Sequence, residues 1–192
     1  MKRLTIAAAA LTLVLAGCSS DSSGSTDAAN IPESDQAFLA EHDLDGMASD
    51  EIVEHLDGLG GAERPTDLMA SVRVEELVMT DGEEEIGLEL PEDRFYLSVA
   101  PYVNQTHECF YHSLTTCQGE LSGEEVDVKI TDEAGEVLVE ETTTTAANGF
   151  VGYWLPRDVE GTVEVSYDGK TGEVPFATDE EGATCLTTLQ VA

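Results

Sequence analysis

Basic side chains are scarce in this sequence. Its 192 residues include 8 lysines and arginines against 40 aspartates and glutamates, a formal net charge of −32. Proteins hold phosphate backbones with basic side chains, so the composition argues against nucleic acid as a partner. Catalytic signatures are also missing. There is no GxSxG nucleophile elbow, no Cys-x-x-Cys, and no HExxH; His107-Glu108 shares only the first two positions of the zinc-protease motif. No acidic stretch has the carboxylate spacing around a central glycine that a calcium loop needs. The acidity is spread along the chain and reads as a solvated surface, suited to high solubility and screened by salt. Tryptophan occurs once, as Trp154, and cysteine four times.

The first residues are MKRLTIAAAALTLVLAGCSS. Lys2 and Arg3 precede an apolar run, Leu4 to Ala16, that is short for a membrane span and reads as an export signal. The ending Leu-Ala-Gly-Cys resembles the lipobox of bacterial lipoproteins. That resemblance implies cleavage after residue 17 and a lipid-bearing Cys18, so that acyl chains anchor the protein on the outer side of the membrane. Residues 18–30, rich in Ser and without a large apolar residue, read as a flexible tether.

Residues 31–90 are expected to form a small helical region followed by a β-hairpin. Phe38, Leu39 and Leu44 fall loosely on one helix. Ile52, Val53 and Leu56 recur at helical spacing in a second, with Ser49 as its cap and Gly58 and Gly60 as its stop. A further short turn is expected from Thr66. Asp81-Gly82 is a strong hairpin turn between strand-like segments. Residues 91–192 read as an antiparallel β-sandwich: short strands with alternating apolar residues, such as Val126, Val128 and Ile130, separated by Gly, Asp and Pro. Trp154, Phe150, Tyr153 and Tyr167 are expected in or against its core, and Pro156 at a strand's exit. The fold class is mainly β.

Chemistry concentrates in Pro101–Leu121, PYVNQTHECFYHSLTTCQGEL, which holds Cys109 and Cys117 with His107 and His112. With Cys185, three cysteines follow the signal. Three is odd, so one intramolecular disulfide leaves a thiol over. The spacing leaves two readings open. Two cysteines form a structural disulfide and the third is a small buried hydrophobe in a non-catalytic surface module. Alternatively, three thiolates converge on a soft metal, where monovalent copper fits three sulfurs better than zinc does. In an extended segment His107 shares a side with Cys109 and is the first candidate for a further ligand. His112 joins only if the chain turns.

The strings APYVNQTHECFYHSLTTCQGEL, GFVGYWLP and ATCLTTLQV, in this order, resemble the CueP-type periplasmic copper-binding proteins. The resemblance runs from about Phe95 to the end of the chain. It implies copper resistance outside the cytoplasm, with Cys109, Cys117 and Cys185 as the copper-linked cysteines. It implies transfer of copper to exported cuproproteins, superoxide dismutase among them, and assistance in reducing divalent copper, for which a thiol reductase would restore the thiols. It also implies a homodimer formed through the N-terminal part. The extreme acidity and the apparent lipid anchor depart from the family's soluble form.

Overall fold

The structure, a computed structural model, describes residues 31–192. The export signal and Cys18 lie outside the described residues.

Two helices open the described chain, α1 (Glu33–Glu41) and α2 (Ser49–Gly58). Ser49 does not cap α2. It is the first helical residue, and its hydroxyl donates to the Glu89 carbonyl at 2.7 Å. The free Ala48 N–H is taken instead by the Glu51 carboxylate at 2.9 Å, which satisfies an orphan donor of the first turn. The expected turn at Thr66 is absent; a 3₁₀ turn at Gly61–Glu63 stands in its place, directly after α2.

Next come β1 (Met69–Val72), β2 (Glu76–Thr80) and β3 (Glu85–Glu89). The chain reverses twice. Asp81-Gly82 turns β2 into β3, as its sequence requires, with the Asp81 carboxylate accepting from the Glu83 and Glu84 amides at 2.8 Å. A second reversal at Arg73–Glu75 splits what reads in sequence as one strand, and pairs β1 with β2. Phe38, Leu39, Ile52, Val53 and Leu56 bury their side chains against Val72, Leu77, Met79 and Leu88 of this sheet. Helices this short have little stability alone, so this packing is what holds them.

The second half supplies β4 (Arg94–Val99), β5 (His112–Ser113), β6 (Glu125–Asp132), β7 (Val137–Thr144), β8 (Val151–Pro156), β9 (Glu160–Tyr167), β10 (Lys170–Ala177) and β11 (Cys185–Leu186). One sheet runs β10-β9-β6-β7 and a second β11-β4-β8, while β5 joins the hairpin sheet beside β1. The first two share a core of Phe95, Leu97, Val99 and Leu155 against Val126, Val128, Ile130, Val163 and Val165. This is the expected sandwich. β11 pairs with β4 in parallel, and an isolated parallel bridge joins Tyr102 to Gln190. Only two residues of the C-terminal string are strand; the rest follows as irregular chain.

β4 is buried on both faces. Phe95, Leu97 and Val99 enter the sandwich core, and the alternate residue Tyr96 enters the helical core. Trp154 lies partly covered on that second side. It stacks obliquely on Tyr96 with centroids 4.9 Å apart, and its indole N–H donates to Glu54 at 3.1 Å. Phe150 is fully enclosed, while Tyr153 and Tyr167 pack partly covered against the sandwich core. The middle sheet therefore faces two cores, and the cysteines collect at one end of it.

Candidate metal centre

Each sulfur reaches the site by a different route. Cys185 is on β11, whose parallel ladder with β4 is held by Ser98 N–H to the Thr184 carbonyl (2.9 Å) and Ala100 N–H to the Leu186 carbonyl (2.8 Å). Cys109 lies in the loop leaving β4. The chain bends at Phe110 and Tyr111, and the Phe110 carbonyl accepts from the Cys185 amide at 3.1 Å. After β5 a tight turn brings Cys117 back, its N–H on the Ser113 carbonyl at 3.1 Å. Cys109 and Cys185 form a disulfide. The Cys117 sulfur stands 3.5 Å from that of Cys109. The third thiol is therefore neither remote nor a mere core filler.

The bend also places the two histidines differently. His112 is fully buried, and its Nδ1 lies 3.6 Å from the Cys185 sulfur. The ligand atoms of Cys109, His112, Cys117 and Cys185 all lie within 4.8 Å of one another. His107, the first candidate by sequence spacing, stays at the margin. Its ring stands edge-on to Phe150 at 6.4 Å, and its Nε2 is shielded from solvent without a hydrogen-bond partner of ordinary length. His42 packs on Phe38 and His55 is exposed on α2, both away from this cluster.

Behind the sulfurs lies a polar network that the sequence does not announce. The Asp57 carboxylate, on α2, meets His112 Nε2 at 2.7 Å. It accepts from the Tyr96 hydroxyl (2.6 Å), the Ser98 hydroxyl (3.2 Å) and the Asn148 amide (2.7 Å). A carboxylate taken out of water is costly unless its oxygens are satisfied, and here each oxygen has two partners. The local signal in the sequence is small: Asp57 sits four residues after Val53 and eight after Ser49, on the buried face of α2. Thr184 is a second unannounced residue. Its hydroxyl accepts from the His112 amide (2.9 Å) and donates to the Val72 carbonyl (2.7 Å), fastening β5, β1 and β11 to one another.

These contacts set the charges. Burial pulls the His112 imidazole down, but its hydrogen bonds to Asp57 and to Cys117 outweigh this and lift its pKa to about 9. Burial pushes the Cys117 thiol up. The hydrogen bond to His112 is the largest of the opposing effects, His107 adds to it, and the pKa comes to about 7. Burial likewise pushes Asp57 up, and His112 above all brings it below the usual carboxylate range. The centre thus holds an imidazolium between a carboxylate and a thiol that ionises near neutrality. Such a thiol is a nucleophile and a metal ligand.

The loop in front is held by one side chain. Glu120 accepts from the backbone N–H groups of Val103 (2.7 Å), Asn104 (2.8 Å) and Gln105 (3.3 Å) and from the Asn104 amide (2.8 Å). These bonds lower its pKa to about 2. At the back, Gly119 and Gly149 touch backbone to backbone. Gly149 has φ +84°, and a Cβ on either residue would strike the other's carbonyl. This close approach sets the Cys117 turn against Phe150, whose ring lies 4.5 Å from that of His112.

Three sulfurs and an imidazole nitrogen, sequestered together, are a donor set for a soft ion. The family model described as periplasmic copper-binding protein CueP matches residues 51–190. The chain belongs to the CueP family. The crystal structure of S.CueP is similar with a TM-score of 0.79 and 45% identity, over 84% of this chain and 99% of that one. A search of curated proteins gives no match. The CueP match begins inside α2 and so includes Asp57 as well as every sulfur of the cluster. CueP is a periplasmic, copper-binding family, and its metal suits the sulfur-rich donors present here. Among the described residues no helix is long and apolar enough to cross a membrane.

Proposed function

We propose that this CueP-family protein sequesters monovalent copper outside the cytoplasm through Cys109, Cys117 and Cys185, with His112 as the nitrogen ligand. The observation that carries the reading is the convergence of these four donor atoms within 4.8 Å. Thiolates favour monovalent copper, and a buried trigonal or four-coordinate set would shield it from further oxidation. The disulfide between Cys109 and Cys185 is the oxidised state of the same site.

That oxidised state supports a redox role. Divalent copper entering the reduced site takes His107 as an entry ligand, since its imidazole lies at the margin of the cluster beside Phe150. Two divalent ions then take one electron each. Cys109 and Cys185 supply the pair, their S–S bond forms, and the two thiol protons leave to solvent. The protein is thereby spent, so an external dithiol reductase must restore the thiols. The chemistry is stoichiometric in this chain alone. Monovalent copper passes from the site to an exported cuproprotein of the superoxide dismutase kind. The chain acts as a homodimer through its N-terminal part, held at the membrane by lipid on Cys18.

The test is an anaerobic titration of the reduced protein with monovalent copper against a strong competing chelator, alongside a variant with Cys109, Cys117 and Cys185 changed to serine. One tight equivalent per chain, lost in the variant, is expected. Equal affinity in both proteins overturns the reading and leaves a surface sandwich with a structural disulfide.

A further inference from the structure

A carboxylate has acceptors only, and both Asp57 oxygens already take hydrogens from other groups: Tyr96 and Ser98 on Oδ2, Asn148 on Oδ1. His112 Nε2 completes the set at 2.7 Å from Oδ1, so this nitrogen must donate. The ring cannot turn over to exchange its nitrogens. It is fully buried, Phe150 lies against it at 4.5 Å, and its amide is pinned by Thr184. The proton is therefore held on the side of α2, and the other nitrogen, Nδ1, is left toward the sulfurs, 3.6 Å from Cys185.

We infer that Asp57 is a positioning residue for copper: by keeping the His112 proton on Nε2 it makes Nδ1 the ligating atom. The inference rests on the copper reading above and deepens it. A buried ligand imidazole needs such a partner, because without one either nitrogen can carry the proton and one of the two forms presents N–H to the metal. Asp57 acts from a helix of the other core, so α2 takes part in the metal site without touching the metal. Gly152 completes the arrangement. Tyr96 passes over it to reach Asp57, and any Cβ there would occupy the place of the Tyr96 hydroxyl.

The deciding experiment is ¹⁵N NMR of histidine-labelled protein, loaded with monovalent copper and, separately, copper-free, reduced and alkaline. In the wild type the proton is expected on His112 Nε2 in both, with Nδ1 shifted by copper. Asp57→Leu keeps similar bulk but removes both acceptor oxygens. It is expected to free the proton for Nδ1 and to weaken copper binding by about 10–100-fold in chelator competition. Tyr96→Phe removes a hydrogen bond from the same network without touching His112. It is expected to lower Tm while leaving the tautomer and the copper affinity as in wild type.

A copper-loaded wild type with its proton on Nδ1 overturns the inference, and needs no variant to fold. So does an Asp57→Leu protein that folds and binds copper as wild type does. Equal losses of affinity in both variants with the tautomer unchanged also overturn it, since they reduce Asp57 to a structural role. Failure of the wild type to bind copper would instead sink the copper reading, while the copper-free spectrum still reports on Asp57.

Discussion

The side-chain amide of Asn148 donates to both the carbonyl and the carboxylate of Asp57, each at 2.7 Å, across 91 positions of sequence. Its own oxygen accepts from the Phe150 amide at 2.9 Å. Asn148 is thus the bolt between the end of α2 and the start of β8, and it is fully buried. Asn148→Ala leaves a carboxylate oxygen short of a donor and is expected to cost about 1–3 kcal/mol in denaturant unfolding. Asn148→Asp sets a second carboxylate against the first and should cost more, about 3–5 kcal/mol, the range for an uncompensated buried charge. Equal, small effects from both changes would mean that the bolt carries no load.

The oxidised protein should show an unusual pH response. His112 has its pKa raised to about 9, so its stabilisation is complete below its unfolded value of 6.5 and is lost as pH rises through 9. Cys117 has its pKa lowered to about 7 from 9.0, so its stabilisation is present above 9.0 and is lost as pH falls through 7. Between pH 7 and 9 the folded chain therefore holds one extra proton on His112 and lacks one on Cys117, and the two slopes cancel. Tm should be nearly flat there as far as these groups decide it. Cys117→Ser removes one slope and should expose the other, a loss of at most roughly 1.4 kcal/mol per pH unit toward alkali. A wild type and a variant with identical Tm profiles would show that Cys117 contributes no slope of its own.

Glu120 offers a local test. Its carboxylate gathers three backbone amides of the loop in front of the site, and its pKa lies at about 2. The depressed value means that its hold is present above its ordinary pKa and fails as pH falls through about 2. Glu120→Gln replaces one acceptor oxygen by a donor facing those amides. Faster hydrogen exchange is expected at Val103, Asn104 and Gln105, with the sandwich core unchanged. Unaltered exchange at all three positions would place the loop's order elsewhere.

Thiol exchange should follow the distances. In Cys185→Ser the Cys117 thiolate faces Cys109 at 3.5 Å, close to neutral pH in its ionisation and so near the optimum for thiol–disulfide chemistry. A mild oxidant is expected to link Cys109 to Cys117, as peptide mapping by mass spectrometry would show. A variant that stays fully reduced within the site would mean that the two sulfurs do not reach each other.

The sandwich was legible because its strands alternate. Val126, Val128 and Ile130 against Asp127 and Lys129 can sit only one way on a half-buried sheet, and β6 takes that way. The split between β1 and β2 was not legible. Arg73, Val74 and Glu75 carry no Gly, Pro or Asn, and the reversal is stabilised from outside, by the Arg157 guanidinium on the Val74 carbonyl at 2.8 Å. Likewise β5 is two residues long, too short for any periodicity, yet it is what carries His112 inward. The cysteines were legible as candidates because of their type and number. Their grouping was not, since β11 reaches β4 by a parallel pairing from the far end of the chain. Asp57 escaped notice because one carboxylate among 40 acidic residues gives no signal until its burial is seen.

The bond between Cys109 and Cys185 spans 76 positions of sequence. In polymer terms, oxidation turns most of the sandwich into a closed ring with a long N-terminal arm and a short C-terminal one. The oxidation state of the two thiols is then recorded as connectivity. Pulled from its ends, the spent molecule should extend about 27 nm less than the reduced one, at roughly 3.6 Å for each residue hidden in the ring. A single chain's redox history would thus be written in how far it can be stretched.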